Sequence, residues 1–189
     1  MESRKARETF TEGLHSVLKD FSLLRAEVLS AIHNMNTVKK GMADLTLDYD
    51  KVLAALQSAN TIASDGLTAP ESSALIFNAL NLLRSEEYAV RDYALHSVGK
   101  LVSLIPSEGF LSCEKWLLSQ LKVNQNELVL KSILATLKQF IVHTKTHAVQ
   151  YSISADLLPL LPSNENEEDF FSQILSMQIQ HRQKALRRL

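Results

Sequence analysis

The chain has 189 residues, enough for one domain with a real core, and a formal net charge of −1, so it is not a uniformly basic nucleic-acid binder. Hydrophobic residues make up 46% and charged residues 22%, while 5 Gly and 4 Pro are too few for a many-turned β-sandwich or barrel. The one cysteine, Cys113, rules out an internal disulfide; the polar start MESRKARETF lacks a secretory apolar run, and no run of about 18 apolar residues offers a membrane span. The reading is a soluble, intracellular α-helical protein.

Taken in chain order, apolar residues from Phe10 through Leu14, Leu18, Phe21, Val28 and Ile32 to Met35 fall at helical spacing, predicting one long helix or two between about Arg4 and Lys40. Asp20 or Ser22 would cap the second, and Gly41 would stop it. Asp48 or Asp50 then caps a helix carrying Val52, Leu53, Leu56, Ala59 and Ile62, which Ser64-Asp65-Gly66 ends. Pro70 suits the first turn of the next helix, which carries Leu75, Ile76, Ala79, Leu82 and Leu83.

The most informative segment is Ser85 to Pro106, SEEYAVRDYALHSVGKLVSLIP. After a polar turn come Val90-Arg91, then small or apolar residues at Ala94, Ser97, Val98, Leu101, Leu104 and Ile105, one buried helical stripe that Pro106 stops. An acidic residue, Val-Arg, Ala and Leu in this order resemble the second helix of a HEAT repeat, a scaffold unit that binds along a surface. Shifting this helix by about 39 residues sets Val90 on Val129, Ala94 on Ile133, Val98 on Leu137 and Leu101 on Phe140, near the period of a helix-pair array. Helices are expected at Phe110–Leu121 and at Asn126 to about His143. A break at Thr144–Thr146 should precede a helix from His147 to Leu160, and a last helix should run from Asp169 to the final residue. The expected fold is all-α: a HEAT/armadillo-like α-solenoid of antiparallel helix pairs. It is read as a single domain, 1–189, a fragment of a longer solenoid, with units at roughly 1–66, 67–106, 107–145 and 146–189.

The last helix, DFFSQILSMQIQHRQKALRRL, follows the acids Glu165, Glu167 and Glu168 and ends in bases. His181, Lys184 and Arg188 lie at i, i+3 and i+7, with Arg187 beside them and Arg182 nearby. Phe171, Ile174, Leu175, Ile179, Leu186 and Leu189 are read as its buried side. Acids first and bases last complement the helix dipole; a one-sided basic ridge also fits phosphates. The run Asp169-Phe170-Phe171, Ile179-Gln180, His181-Arg182 and Ala185 to Leu189 resembles the DRIM family, departing from its pattern at Gln183 and Lys184. That family is the large nucleolar HEAT-repeat component of the small-subunit processome, the U3 snoRNP-associated assembly. The resemblance implies a non-enzymatic scaffold segment in 18S pre-rRNA processing, a nucleolar location, and pre-ribosomal RNA and processome proteins as partners. His181, Arg182, Lys184, Arg187 and Arg188 are then its candidate contacts. The competing reading is a HEAT or armadillo adaptor that holds a peptide in transport or trafficking.

Sites for chemistry are not evident. The glycines are isolated and form no phosphate loop. Cys113 lacks a neighbouring activating group and reads as a buried cysteine. His143 and His147 have i, i+4 spacing without a third ligand. Glu86-Glu87 read as helix-start residues, and Trp116 does not interleave with bases as a stacking platform does. No catalytic residue, cofactor, metal, small-molecule substrate or membrane association is expected.

Overall fold

A computed structural model describes residues 24–39, 47–146, 152–162, 169–176 and 178–187. The helices are arranged as stacked antiparallel pairs, the HEAT/armadillo-like organisation, and the one β feature among the described residues is an isolated antiparallel bridge between Val38 and Leu47. The chain divides into two compact units, Met1–Pro106 and Ser107–Leu189.

In the first unit, α1 (Ala26–Met35) packs on α2 (Tyr49–Ser64), and α3 (Ala69–Leu82) packs on α4 (Tyr88–Leu101). The first helices of the pairs, α1 and α3, touch each other, as do the second helices, α2 and α4. Their buried stripes follow helical periodicity: Val28, Ala31, Ile32 and Met35 on α1; Val52, Ala55, Leu56, Ala59 and Ile62 on α2. Small residues allow α4 to approach α2: the Ser97 hydroxyl donates to Tyr93 O at 2.9 Å in its own helix and lies 3.5 Å from Leu56 O.

The Val-Arg helix buries Val90, Ala94, Val98 and Leu101 as read from the sequence, but it ends at Leu101: the Leu104 N–H donates to Leu101 O at 2.9 Å in a turn, and Leu104 and Ile105, expected on the buried stripe, are exposed and half-buried. Arg91 is buried too: its Nη1 donates to Ser85 O at 2.7 Å and Glu86 O at 2.8 Å. The arginine therefore satisfies carbonyls of the turn that feeds its own helix, which explains why a charged residue occupies a core position.

Several boundaries move. The expected helix to Lys40 ends at Met35, because the Asn36 amide donates to Ile32 O at 2.8 Å and closes the last turn. Gly41 and the proposed caps Asp20 and Ser22 lie outside the described residues. Asp48 occupies the N-cap position of α2, and Gly66, at φ 83°, follows its C-cap, where a left-handed residue favours glycine. α3 opens on a capping box of Thr68 and Glu71, with Pro70 in the first turn.

In the second unit, α5 (Ser107–Val123) pairs with α6 (Glu127–Thr146). α5 is longer than expected at both ends, starting directly after Pro106 and closing where the Asn124 amide donates to Gln120 O at 2.9 Å. The expected break at Thr144–Thr146 is absent. Thr144 is buried and bonds back to Phe140 O at 3.0 Å, so α6 continues through it. The expected helix from His147 to Leu160 is also corrected: its described part is a short helix, α7 (Ile153–Asp156), then a 3-10 turn, Leu158–Leu160. Pro159 disfavours helical geometry at Leu158, which explains the shift to the tighter turn.

The single last helix becomes two, α8 (Phe170–Ile174) and α9 (Ile179–Leu186), packed on each other. Gln178 takes extended geometry (φ −80°, ψ 122°), and its N–H donates to Ser176 Oγ at 3.2 Å, a local side-chain bond that replaces the helical one. Leu137 and Ile141 of α6, Leu160, Leu161, Phe170, Phe171 and Ala185 form the core of these elements.

Candidate nucleic-acid interface

The five candidate bases trace to α9 and its C-terminal end. This helix reaches the core through Ala185, which is fully buried. His181, one turn earlier, is half-buried on the same side. Ile179 and Leu186, expected on the buried side, are instead 64% and 56% exposed, because the break at Gln178 resets the register relative to α8. Phe171 is buried as expected, Ile174 and Leu175 are half-buried, and Leu189 lies outside the described residues.

Arg182, Lys184 and Arg187 are exposed; Arg188 lies outside the described residues. At about 100° per residue, His181, Lys184 and Arg187 span one arc of roughly 120°, whereas Arg182 points roughly 160° away from Lys184. Arg182 faces another group. The Glu127 carboxyl at the start of α6 is lowered first by its hydrogen bond and charge interaction with Lys131 (2.8 Å), and to a smaller degree by the charge of Arg182. The arrangement thus gathers three of the candidate bases and separates the fourth.

The segment leading to α9 has a structural role. Asp169 caps α8, accepting from Phe171 N at 3.3 Å and from Ser172 Oγ at 2.9 Å, and pairs with Lys138 of α6 at 2.6 Å. Burial pushes this carboxyl up, but the bonds from Lys138 and Ser172, the lysine charge and the Phe171 N–H outweigh it and hold it below the usual range. Phe170 and Phe171 are buried edge-to-face, with ring centroids 5.3 Å apart. The Asp-Phe-Phe run therefore anchors α8 to α6, and the basic helix α9 packs on α8.

Sequence reasoning missed Glu114. It is buried on α5 and accepts from Ser152 Oγ at 2.6 Å, Ser154 N at 2.8 Å and Ile153 N at 3.2 Å, so it caps α7 from 38 or more residues away. No local motif could announce a cap supplied over that separation. Cys113 beside it is buried, and burial first, then the Glu114 charge, push its thiol well up. His143 packs its ring on Phe110 at 5.5 Å, while His147 lies outside the described residues. Among the described residues, no group of three His, Cys, Asp or Glu side chains is placed to hold a metal ion. No helix among them is long and apolar enough to cross a membrane.

Residues 1–145 match the family described as U3 small nucleolar RNA-associated protein 20, N-terminal. The chain belongs to this family. The matched stretch of this U3 small nucleolar RNA-associated protein 20 N-terminal region covers the first unit, α5 and nearly all of α6. It stops short of Asp169–Leu189, the residues that carry the DRIM resemblance, so membership rests on the helical repeats and not on the basic motif. Comparisons with curated proteins and with solved structures gave no match. Family and fold together describe a helical repeat scaffold.

Proposed function

We propose that this chain is a scaffold segment of a ribosome-biogenesis factor, acting within the small-subunit processome of the nucleolus during 18S pre-rRNA processing. The observation that carries the reading is the family match over residues 1–145, whose description ties the family to U3 small nucleolar RNA. Stacked helix pairs suit this role, since repeat arrays offer long surfaces for RNA and protein without a catalytic cleft. In this reading His181, Lys184 and Arg187 face pre-ribosomal RNA phosphates or an acidic partner, with Arg188 a further candidate contact, and Asp169 with its two phenylalanines fixes α8, on which the helix that bears them packs.

The test is recovery of the tagged full-length protein from cells, followed by RNA and protein identification after cross-linking. U3 RNA, 18S precursors and processome proteins should be enriched over a control solenoid of similar charge. Recovery of transport or trafficking cargo without U3 RNA would overturn the proposal.

A further inference from the structure

α9 carries amides as well as cations. Gln180, Gln183, Lys184 and Arg187 are all exposed, and no hydrogen bond among the described residues occupies either glutamine side chain. At about 100° per residue, Gln180 falls between Arg187 and Lys184, roughly 20° from the first and 40° from the second, and Gln183 lies about 40° beyond Arg187. Two i, i+4 rows result, Gln180–Lys184 and Gln183–Arg187, each setting an amide one turn before a cation. The four groups cover about 10 Å of helix length. Ile179 and Leu186, the exposed apolar residues of this helix, lie outside the arc, past its Gln183 edge.

We infer that this arc takes A-form duplex RNA across its minor groove, with Lys184 and Arg187 on phosphates and Gln180 and Gln183 on ribose 2′-hydroxyls. The inference rests on the proposed reading of the basic arc as an RNA face and names the form of RNA. The amides decide for RNA over DNA: each donates and accepts, as a 2′-hydroxyl does, and DNA lacks that group. Aromatic rings decide for a duplex over a single strand. Unpaired bases are held by stacking on exposed rings, yet α9 contains no Phe, Tyr or Trp, and Phe170 and Phe171 of α8 are buried. Groove shape decides the side. The A-form major groove is too deep and narrow for side chains to read, whereas the wide, shallow minor groove shows 2′-hydroxyls beside phosphates to an exposed helix face.

Three probes test it with the full chain in fluorescence anisotropy: an RNA duplex of about 20 base pairs and arbitrary sequence, the DNA duplex of the same sequence, and one RNA strand alone. The RNA duplex should bind about tenfold more tightly than the DNA duplex, which cannot make the two amide hydrogen bonds, and more tightly than the single strand. Gln180→Ala combined with Gln183→Ala should bring the two duplexes within about threefold of each other and leave the salt slope unchanged. Arg187→Gln should lower the slope by about 0.7–0.9 and leave the RNA-to-DNA ratio in place. The replaced side chains are exposed, and melting curves check that each variant is folded. A preference for the single strand, equal binding of the two duplexes, or a ratio indifferent to the glutamine double variant would overturn the inference. Any of these results with a slope that still responds to Arg187→Gln leaves the RNA reading of the arc standing. A slope that ignores Arg187→Gln overturns that reading and the inference with it.

Discussion

Arg25 and Glu71 are joined twice: the Arg25 backbone N–H donates to Glu71 Oε1 at 3.0 Å, and its Nε donates to the same oxygen at 2.9 Å. Thr68 N–H occupies Oε2 at 2.9 Å, and Arg25 Nη2 reaches Gly66 O at 2.8 Å. Arg25 is the N-cap residue of α1 and Glu71 lies in the first turn of α3, so one carboxylate links the starts of two stacked helices. Glu71 is only 1% exposed, and burial, the largest influence, pushes its carboxyl up. The Thr68 and Arg25 donors together outweigh burial and hold it at about 2.

The acid limb of stability should therefore depend on Glu71. A depressed folded value means that the stabilisation is present above the unfolded range near 4.5 and is lost as pH falls toward about 2. Glu71→Gln turns an amide toward a site built of donors and should cost roughly 2–4 kcal/mol near neutrality. Chemical denaturation at pH 7, 5 and 3 checks both points: the wild-type advantage should shrink on acidification. An advantage that stays constant down to pH 3 refutes the assignment.

Leu101 and Leu104 lie three residues apart, yet Leu101 is fully buried and Leu104 is 36% exposed. Leu101→Ala should cost roughly 2–5 kcal/mol through lost contact and a residual cavity. Leu104→Ala should stay within about 1 kcal/mol, nearer to a surface change. Equal melting shifts for the two variants would contradict the packing of α4.

Leu101 also marks what the sequence made legible, and Leu104, expected on the same stripe, shows where periodicity alone did not reveal the helix end. Val90, Arg91, Ala94 and Leu101 could be placed because periodicity and the Val-Arg pair report on the same local helix. The break before Ile179 could not. Ser176 and Gln178 are ordinary helix residues, and the bond between them competes with the helix only in the context of packed α8 and α9. Ile179 and Leu186 were consequently read as buried. Glu114 was silent for a different reason, since its partners at Ser152 to Ser154 are brought to it by tertiary structure alone. Of the candidate bases, helical spacing gave a stripe of His181, Lys184 and Arg188 with Arg187 beside it, of which Arg188 lies outside the described residues, whereas the influence of the Arg182 charge on Glu127 required the fold.

Asp169 combines a cap with an ion pair, and two substitutions separate them. Asp169→Asn keeps a capping oxygen and loses the charge facing Lys138; it should cost about 0.5–1 kcal/mol, discounted because the lysine is partly exposed. Asp169→Ala loses both and should cost about 1–2 kcal/mol. Because this carboxyl is held down in the fold, the wild-type advantage should fade as pH drops through the carboxylate range. Denaturation curves for both variants at two pH values test the order, and an equal loss would show that the cap carries nothing.

Cys113 is fully buried with its thiol shifted upward, so its thiolate is disfavoured and access is closed. An aromatic disulfide reagent should leave the native chain unlabelled at pH 8 and label it on addition of denaturant. Labelling at the rate of a free thiol in native buffer would contradict the placement of α5.

The basic arc of α9 gives the last prediction. If His181, Lys184 and Arg187 hold RNA phosphates, each lost cation should weaken binding with little regard to sequence and reduce the salt slope by about 0.7–0.9 per contact. If they only complement the helix dipole, each loss should cost about 0.3–1 kcal/mol of helix stability and leave RNA affinity unchanged. Lys184→Gln and Arg187→Gln, singly and together, separate these accounts when anisotropy with a structured RNA is measured between 50 and about 200 mM salt. Arg182→Gln serves as the comparison, because its charge lies near Glu127 on the opposite side of the helix from Lys184. The phosphate reading expects a smaller slope for the Lys184 and Arg187 variants than for Arg182→Gln. Slopes that fall equally for all three reflect net charge alone, and slopes that do not change remove the arc from the RNA-binding surface.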